Sequence, residues 1–289
     1  MKTGLIPFLA FALWLALPVG AQQQAKYFST DEMPNAVNYL PPPPDTLSVQ
    51  FAYDMSQYYW GKSLRETARG DTAIDDHHSS TASLCRIFSE PFGMELSEEK
   101  TPAIYAMLSN ALSTIGKGVS ICKNYYHRRR PFQRFHEEVA TGEDLGETSY
   151  PSGHTNKGWA MALLLVELNP EAQDALLKRG YEYGQSRVIV GAHWQSDVDA
   201  GRVVASACYA RLHSSAEFRN HMAAARKEYL RLKYGITDTQ PPQGIVEADI
   251  PAGTTVDPDD QQWYTIDGRA ASSATPGVVV GRNGKQIRR

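Results

Sequence analysis

From Val49 to Tyr234 apolar residues recur at helical spacing, and strand-like alternation is absent. The pattern predicts helices over about Phe51 to Ala68, Asp71 to Phe88, Ser97 to His127, Thr155 to Leu168, Pro170 to Tyr183, Gln195 to Leu212 and Ser215 to Tyr234. Pro131 closes the third of these. Asn169 before Pro170, with Glu171 in the first turn, predicts a capped helix start. Helices in succession with no strand between them predict an all-α bundle over residues 49–235.

The two ends have a different character. Lys2, an apolar run from Leu5 to Leu17 and the small residues Val19-Gly20-Ala21 predict a cleaved signal peptide over residues 1–21, hence export to a periplasmic or secreted location. Residues 22–48 form a polar, Pro-rich arm in which YLPPPP favours an extended chain. Past Gly235, residues 236–289 begin as a linker rich in Pro, Asp and Thr. They end in a short β-prone tail with an Asn283-Gly284 hairpin signal, whose layout resembles sorting or anchoring tails of exported proteins.

Composition narrows the classes. At 289 residues and 42% hydrophobic the chain can bury one sizeable core, and a net charge of −3 excludes a globally basic nucleic-acid binder. The apolar run AMALLLV is bounded by Lys157 and Glu167, far short of the roughly 20 residues that span a bilayer. The three cysteines lack zinc-site spacing and are expected as buried apolar residues, with at most one pair bridged. The cluster DTAIDDHHSS is expected as a polar loop, not a metal site.

Three stretches carry candidate chemistry. In CKNYYHRRRPF a continued helix places Lys123 and Arg130 two turns apart on one face, so that both cations meet one anion. In TSYPSGHTNKGWA, Pro151-Ser152-Gly153-His154 opens a helix whose N–H groups favour an anion. Ser152 adds a hydroxyl donor, Gly153 permits close backbone approach, and His154 is placed to protonate a departing alkoxide. In QSRVIVGAHWQSDVDAGR, Arg187 offers a forked guanidinium, and Asp197 stands four residues after His193, where its carboxylate holds one ring nitrogen and leaves the other as a nucleophile.

Each stretch alone is an ordinary surface pattern. Their order, Lys-x6-Arg-Pro, then Pro-Ser-Gly-His, then Ser-Arg-x5-His-x3-Asp, resembles the signature of the PAP2 superfamily of phosphatases and vanadium haloperoxidases. The surrounding text, from about Tyr39 to Leu232, resembles the bacterial class A non-specific acid phosphatases. The resemblance implies a PAP2-type helical bundle and a broad phosphomonoesterase acting on nucleotides, sugar phosphates and aryl phosphates. It also implies phosphate transfer to alcohols as a side activity, vanadate and other oxyanions as inhibitors, and homo-oligomers. Lys123, Arg130 and Arg187 would bind phosphoryl oxygens, Ser152 and Gly153 would donate hydrogen bonds, and His193 would form a phosphohistidine oriented by Asp197. His154 would act as acid and then base. No metal or other cofactor is expected, since three cations and a helix N-terminus supply the positive charge. A protonated His154 implies an acidic to near-neutral optimum. The alternatives are a vanadate-dependent haloperoxidase and a non-catalytic phosphate- or polyanion-binding protein.

Overall fold

The computed structural model describes residues 27–235 and the strands of the tail; the predicted signal peptide and most of the linker lie outside the described residues. Among the described residues of the first unit there are ten α-helices: α1 Val49–Ser63, α2 Ala68–Asp75, α3 Thr81–Phe92, α4 Pro102–Ile115, α5 Ser120–Tyr126, α6 Pro131–Phe135, α7 Gly153–Leu168, α8 Gln173–Ile189, α9 Gln195–Leu212 and α10 Ala216–Tyr234. The domain is all-α, as the periodicity predicts. Among the described residues no helix is long and apolar enough to cross a membrane.

Local sequence explains most boundaries. Ser48, Thr67, Ser80, Ser152 and Ser215 each cap a helix by accepting from the backbone N–H three residues on. Gly93 and Gly235 end α3 and α10 in the left-handed conformation. Thr101 makes no side-chain cap for α4; instead the buried Glu228 of α10 accepts from Ala103 N and Ile104 N at 3.2 and 2.8 Å. A carboxylate there also suits the helix dipole.

Four expectations are corrected. The stretch expected as one helix over Asp71 to Phe88 is two, because Ser80 restarts it as a new cap. The DTAIDDHHSS cluster is half helical, and its Asp76 is fully buried, accepting from Arg179 and from Ser186 Oγ at 2.6 Å. The predicted helix over Pro170 to Tyr183 opens as a 3-10 turn, Pro170–Ala172, and continues as α8 to Ile189; Asn169 stands at the N-cap and Glu171 in the first turn as expected, but the Asn169 side chain makes no cap bond and donates instead to Phe92 O at 3.0 Å. The predicted helix over Ser97 to His127 breaks at the glycine-bearing 3-10 turn Gly116–Val119 and ends at Tyr126.

Helix α7 lies at the centre, against α8, α9 and α4, and its Ala160, Met161, Leu164 and Leu165 are fully buried. Close approach depends on small residues. A Cβ on Gly158 would stand 2.1 Å from the Tyr183 ring of α8, and one on Gly201 would stand 2.7 Å from Ser152 O, so Gly201 lets α9 touch the mouth of α7. The N-terminal arm joins the same core through Tyr27, Met33, Ala36 and Leu40, so the packed domain begins before residue 49. Cys85, Cys122 and Cys208 are free and buried, and burial pushes their thiols up to about 12, 11 and 12.

The second unit, by itself, carries four strands, β1 Trp263–Thr265, β2 Ala270–Ala271, β3 Gly277–Gly281 and β4 Gly284–Arg288, in an antiparallel sheet of order β2-β1-β3-β4. β3 and β4 form a hairpin at the place of the Asn283-Gly284 signal, though Gly284 is paired with Gly281 as the first residue of β4 and does not lie in the turn.

Candidate functional site

Pro131 restricts the residue before it, so Arg130 is extended (φ −76°, ψ 158°) and caps α6 instead of extending α5. His127, left-handed at φ 47°, turns the chain out of α5. Lys123 and Arg130 therefore do not share a helix face, which corrects the sequence expectation, yet the turn brings them together. Lys123 Nζ donates to Thr148 O at 3.0 Å and Ser149 O at 3.2 Å, and Arg130 Nη2 donates to the same Thr148 O at 2.9 Å. Arg130 is also held by Gly146 O and Ala192 O at 2.6 and 2.9 Å. Burial first, then the Arg130 charge, lowers the Lys123 ammonium to about 8.

His193 lies in the turn between α8 and α9 and is 2% exposed. Arg130 Nη1, which only donates, stands 3.0 Å from its Nε2, so Nε2 carries the lone pair and Nδ1 the proton. Nδ1 faces Asp197 Oδ2 at 3.3 Å. Asp197 sits in the first turn of α9, where Oδ2 also accepts from Trp194 N at 2.8 Å. Burial, then the charges of Arg130, Lys123, Arg187 and His154, hold the His193 imidazole well below the usual histidine value. His193 N also donates to Arg187 O at 3.1 Å, so Arg130, Asp197 and Arg187 all meet this residue.

Ser152 caps α7. Its Oγ accepts from Thr155 N and Thr155 Oγ1 at 3.3 and 2.9 Å, which leaves its own proton to donate, and its N donates to Asp197 O at 2.9 Å. Gly153 opens α7; a Cβ there would meet Val119 only at an ordinary 3.8 Å, so the chain itself does not require glycine at this position. His154 Nε2 donates to His77 O at 2.7 Å, leaving Nδ1 for chemistry. Burial and the Arg187 charge, opposed by that carbonyl and reinforced by Lys157 and Arg130, keep His154 well below the ordinary value.

Arg187 on α8 is fully buried. Its Nη2 meets Glu143 Oε2 at 3.0 Å, while Nε and Nη1 have no hydrogen-bond partner among the described residues. Buried donors are almost always satisfied, so two unmatched ones on a cation beside other cations point to an anion. Lys123, Arg130, Ser152, Gly153, His154, Arg187, His193 and Asp197 thus assemble at the mouth of α7.

Sequence reasoning missed three further residues. Arg128 donates to Asp197 Oδ1 and to Asp54 Oδ2, both at 2.6 Å, and to Ser196 Oγ at 2.8 Å. Asp54 of α1, fully buried, also accepts from Ser196 N at 2.8 Å in the first turn of α9. Glu143 completes the set. The run of three arginines was the one readable signal for Arg128; nothing local marks Asp54 or Glu143.

A cluster of basic donors around a carboxylate-oriented imidazole is a site for a tetrahedral oxyanion. Comparison with known proteins agrees. Residues 102–220 match the PAP2 superfamily model. A non-specific acid phosphatase of Providencia stuartii is 40% identical over 235 residues, covering 78% of this chain and 95% of that one. One from Salmonella typhimurium is 38% identical, covering 79% and 93%, and an acid phosphatase of Zymomonas mobilis is 38% identical, covering 66% and 74%. The chain belongs to the PAP2 superfamily, among its bacterial non-specific acid phosphatases.

Proposed function

We propose that this protein hydrolyses small phosphomonoesters through a phosphohistidine on His193. Lys123, Arg130 and Arg187 hold the phosphoryl oxygens, with Ser152 Oγ and the N-terminal amides of α7. As the phosphoryl oxygen takes over the Nη1 donor of Arg130, the Nε2 lone pair of His193 is freed to attack phosphorus. The ester P–O bond breaks, the N–P bond forms, and the leaving oxygen takes the proton on Nδ1 of His154. Neutral His154 then accepts a proton from water, the resulting hydroxide attacks phosphorus, and phosphate leaves as Nε2 is restored. An alcohol in place of water gives the transferred ester, and the fixed cations act in place of a metal.

The carrying observation is the pairing of His193: Nδ1 on Asp197 and Nε2 on a phosphate-type arginine. One feature changes the route to an acidic optimum. His154 in the free protein is held neutral near pH 6.5, so its proton arrives with the ester. The second ionisation of a phosphate monoester lies near pH 6, and below it the monoanion carries that proton in.

Rapid quench of a reacting sample under alkaline denaturing conditions, followed by peptide mapping, tests this. The phosphoryl group is expected on His193 and absent from His193→Ala, with turnover unaffected by chelators. Steady hydrolysis with no such adduct would defeat the mechanism. Export, proposed from residues 1–21, is checked by sequencing the mature N-terminus.

A further inference from the structure

The loop between α6 and α7 is pinned over the cations at several points. Ala140 N donates to Val190 O at 3.0 Å, Gly146 O and Thr148 O accept from Arg130, and Ser149 N donates to Arg128 O at 2.9 Å. Between those points Gly142, at φ 67°, closes a turn onto Val139 O and presents Glu143 inward. Glu143 Oε2 accepts from Thr141 Oγ1 at 2.7 Å and from Arg187 Nη2 at 3.0 Å.

The three phosphate-type cations are not held alike. Lys123 is oriented by the carbonyls of Thr148 and Ser149, and Arg130 by those of Gly146, Ala192 and Thr148, all neutral acceptors. Arg187 alone among them is met by a carboxylate. Its side chain is fully buried while that of Glu143 is 18% exposed, so the anion reaches in from the solvent side. The charge of Glu143 bears on Arg130 and on Tyr183 as well, which places it within the field of the pocket. A phosphoryl group on Nε and Nη1 of Arg187 would then share one guanidinium with a second anion. Like charges so placed repel strongly where water is scarce.

Resting on the phosphatase reading, we propose that Glu143 is a resident competitor for Arg187, a positioning residue that weakens the hold on the product and drives inorganic phosphate out of the site. Loss of the ester's leaving group leaves phosphate with no contact outside the pocket, so competition at Arg187 falls most heavily on the product.

The test is the affinity of inorganic phosphate for wild type and Glu143→Gln, by calorimetry at one fixed pH and ionic strength, beside KM and kcat for a chromogenic aryl phosphate. Competition predicts about tenfold tighter phosphate in the variant, a KM lowered by a smaller factor and a kcat that does not rise; a charge-assisted contact of ordinary strength sets that scale. A carboxylate that merely steadied Arg187 would give the opposite sign, so unchanged or weaker phosphate binding overturns the proposal. Thr141→Val, which releases the carboxylate without removing it, is expected to move phosphate affinity the same way by a smaller factor, and provides the reading should the first variant fold poorly. Wild type that binds phosphate yet hydrolyses no ester would defeat the phosphatase reading while leaving the calorimetric comparison decisive.

Discussion

Arg128 and Asp197 are joined through Nη1 and Oδ1 at 2.6 Å, and Nη2 of the same guanidinium holds Asp54 at 2.6 Å. One cation thus ties α1 to the first turn of α9 and fixes the carboxylate that orients His193. Both carboxylates are fully buried, and burial alone opposes charge on Arg128 while the two aspartates raise its pKa. Removing one partner of such a set leaves buried charge uncompensated, at a cost of about 3–5 kcal/mol. Arg128→Met is therefore expected to lower urea-unfolding stability by that order and to reduce kcat. Adding Asp54→Asn to it should cost less than the sum of the two changes.

His154→Ala separates protonation of the leaving group from phosphoryl transfer. A positioned acid contributes roughly 10²–10⁴-fold. The loss should approach that range for alkyl phosphates and be much smaller for nitrophenyl phosphate, whose leaving oxygen needs no proton. Equal losses on both substrates, measured as kcat, would remove His154 from the acid role.

Protein stability should fall in acid. His154 and His193 are both held well below 6.5 in the folded state. Between their folded values and about 6.5 the unfolded chain binds more protons, so stability declines as pH drops below about 6.5. The slope approaches about 1.4 kcal/mol per pH unit for each histidine. Vanadate, an anion that favours imidazolium, is expected to reduce the decline. Denaturation midpoints across the pH range, with and without vanadate, measure both effects.

Lys123 sets the opposite limb. Its ammonium is protonated below about 8 and lost above, so kcat/KM should fall as pH rises through that value. A bound phosphoryl group stabilises the ammonium, so the corresponding fall in kcat is displaced to higher pH. Lys123→Met should lower kcat/KM at neutral pH and flatten the limb near 8.

The residues proposed to react were legible because they are packed into three short stretches, and the predicted helix over Gln195 to Leu212 coincides with α9. The geometry of Lys123 and Arg130 was not, since periodicity continued a helix that Gly116, Gly118 and the restriction before Pro131 interrupt. The division between α2 and α3 was visible in Ser80, a capping residue overridden by the apolar pattern. Asp54 and Glu143 were illegible for a different reason. They act across 142 and 44 residues of chain, and no local spacing encodes such contacts.

The three cysteines have one more consequence. With every thiol unpaired inside the core and pushed toward about 11 or 12, no covalent cross-link needs to be made for folding and no thiolate is at hand for exchange. The catalytic domain is thus indifferent to redox poise: a reducing bacterial cytosol should yield the same active molecule as an oxidising one, and dithiothreitol should leave its activity intact.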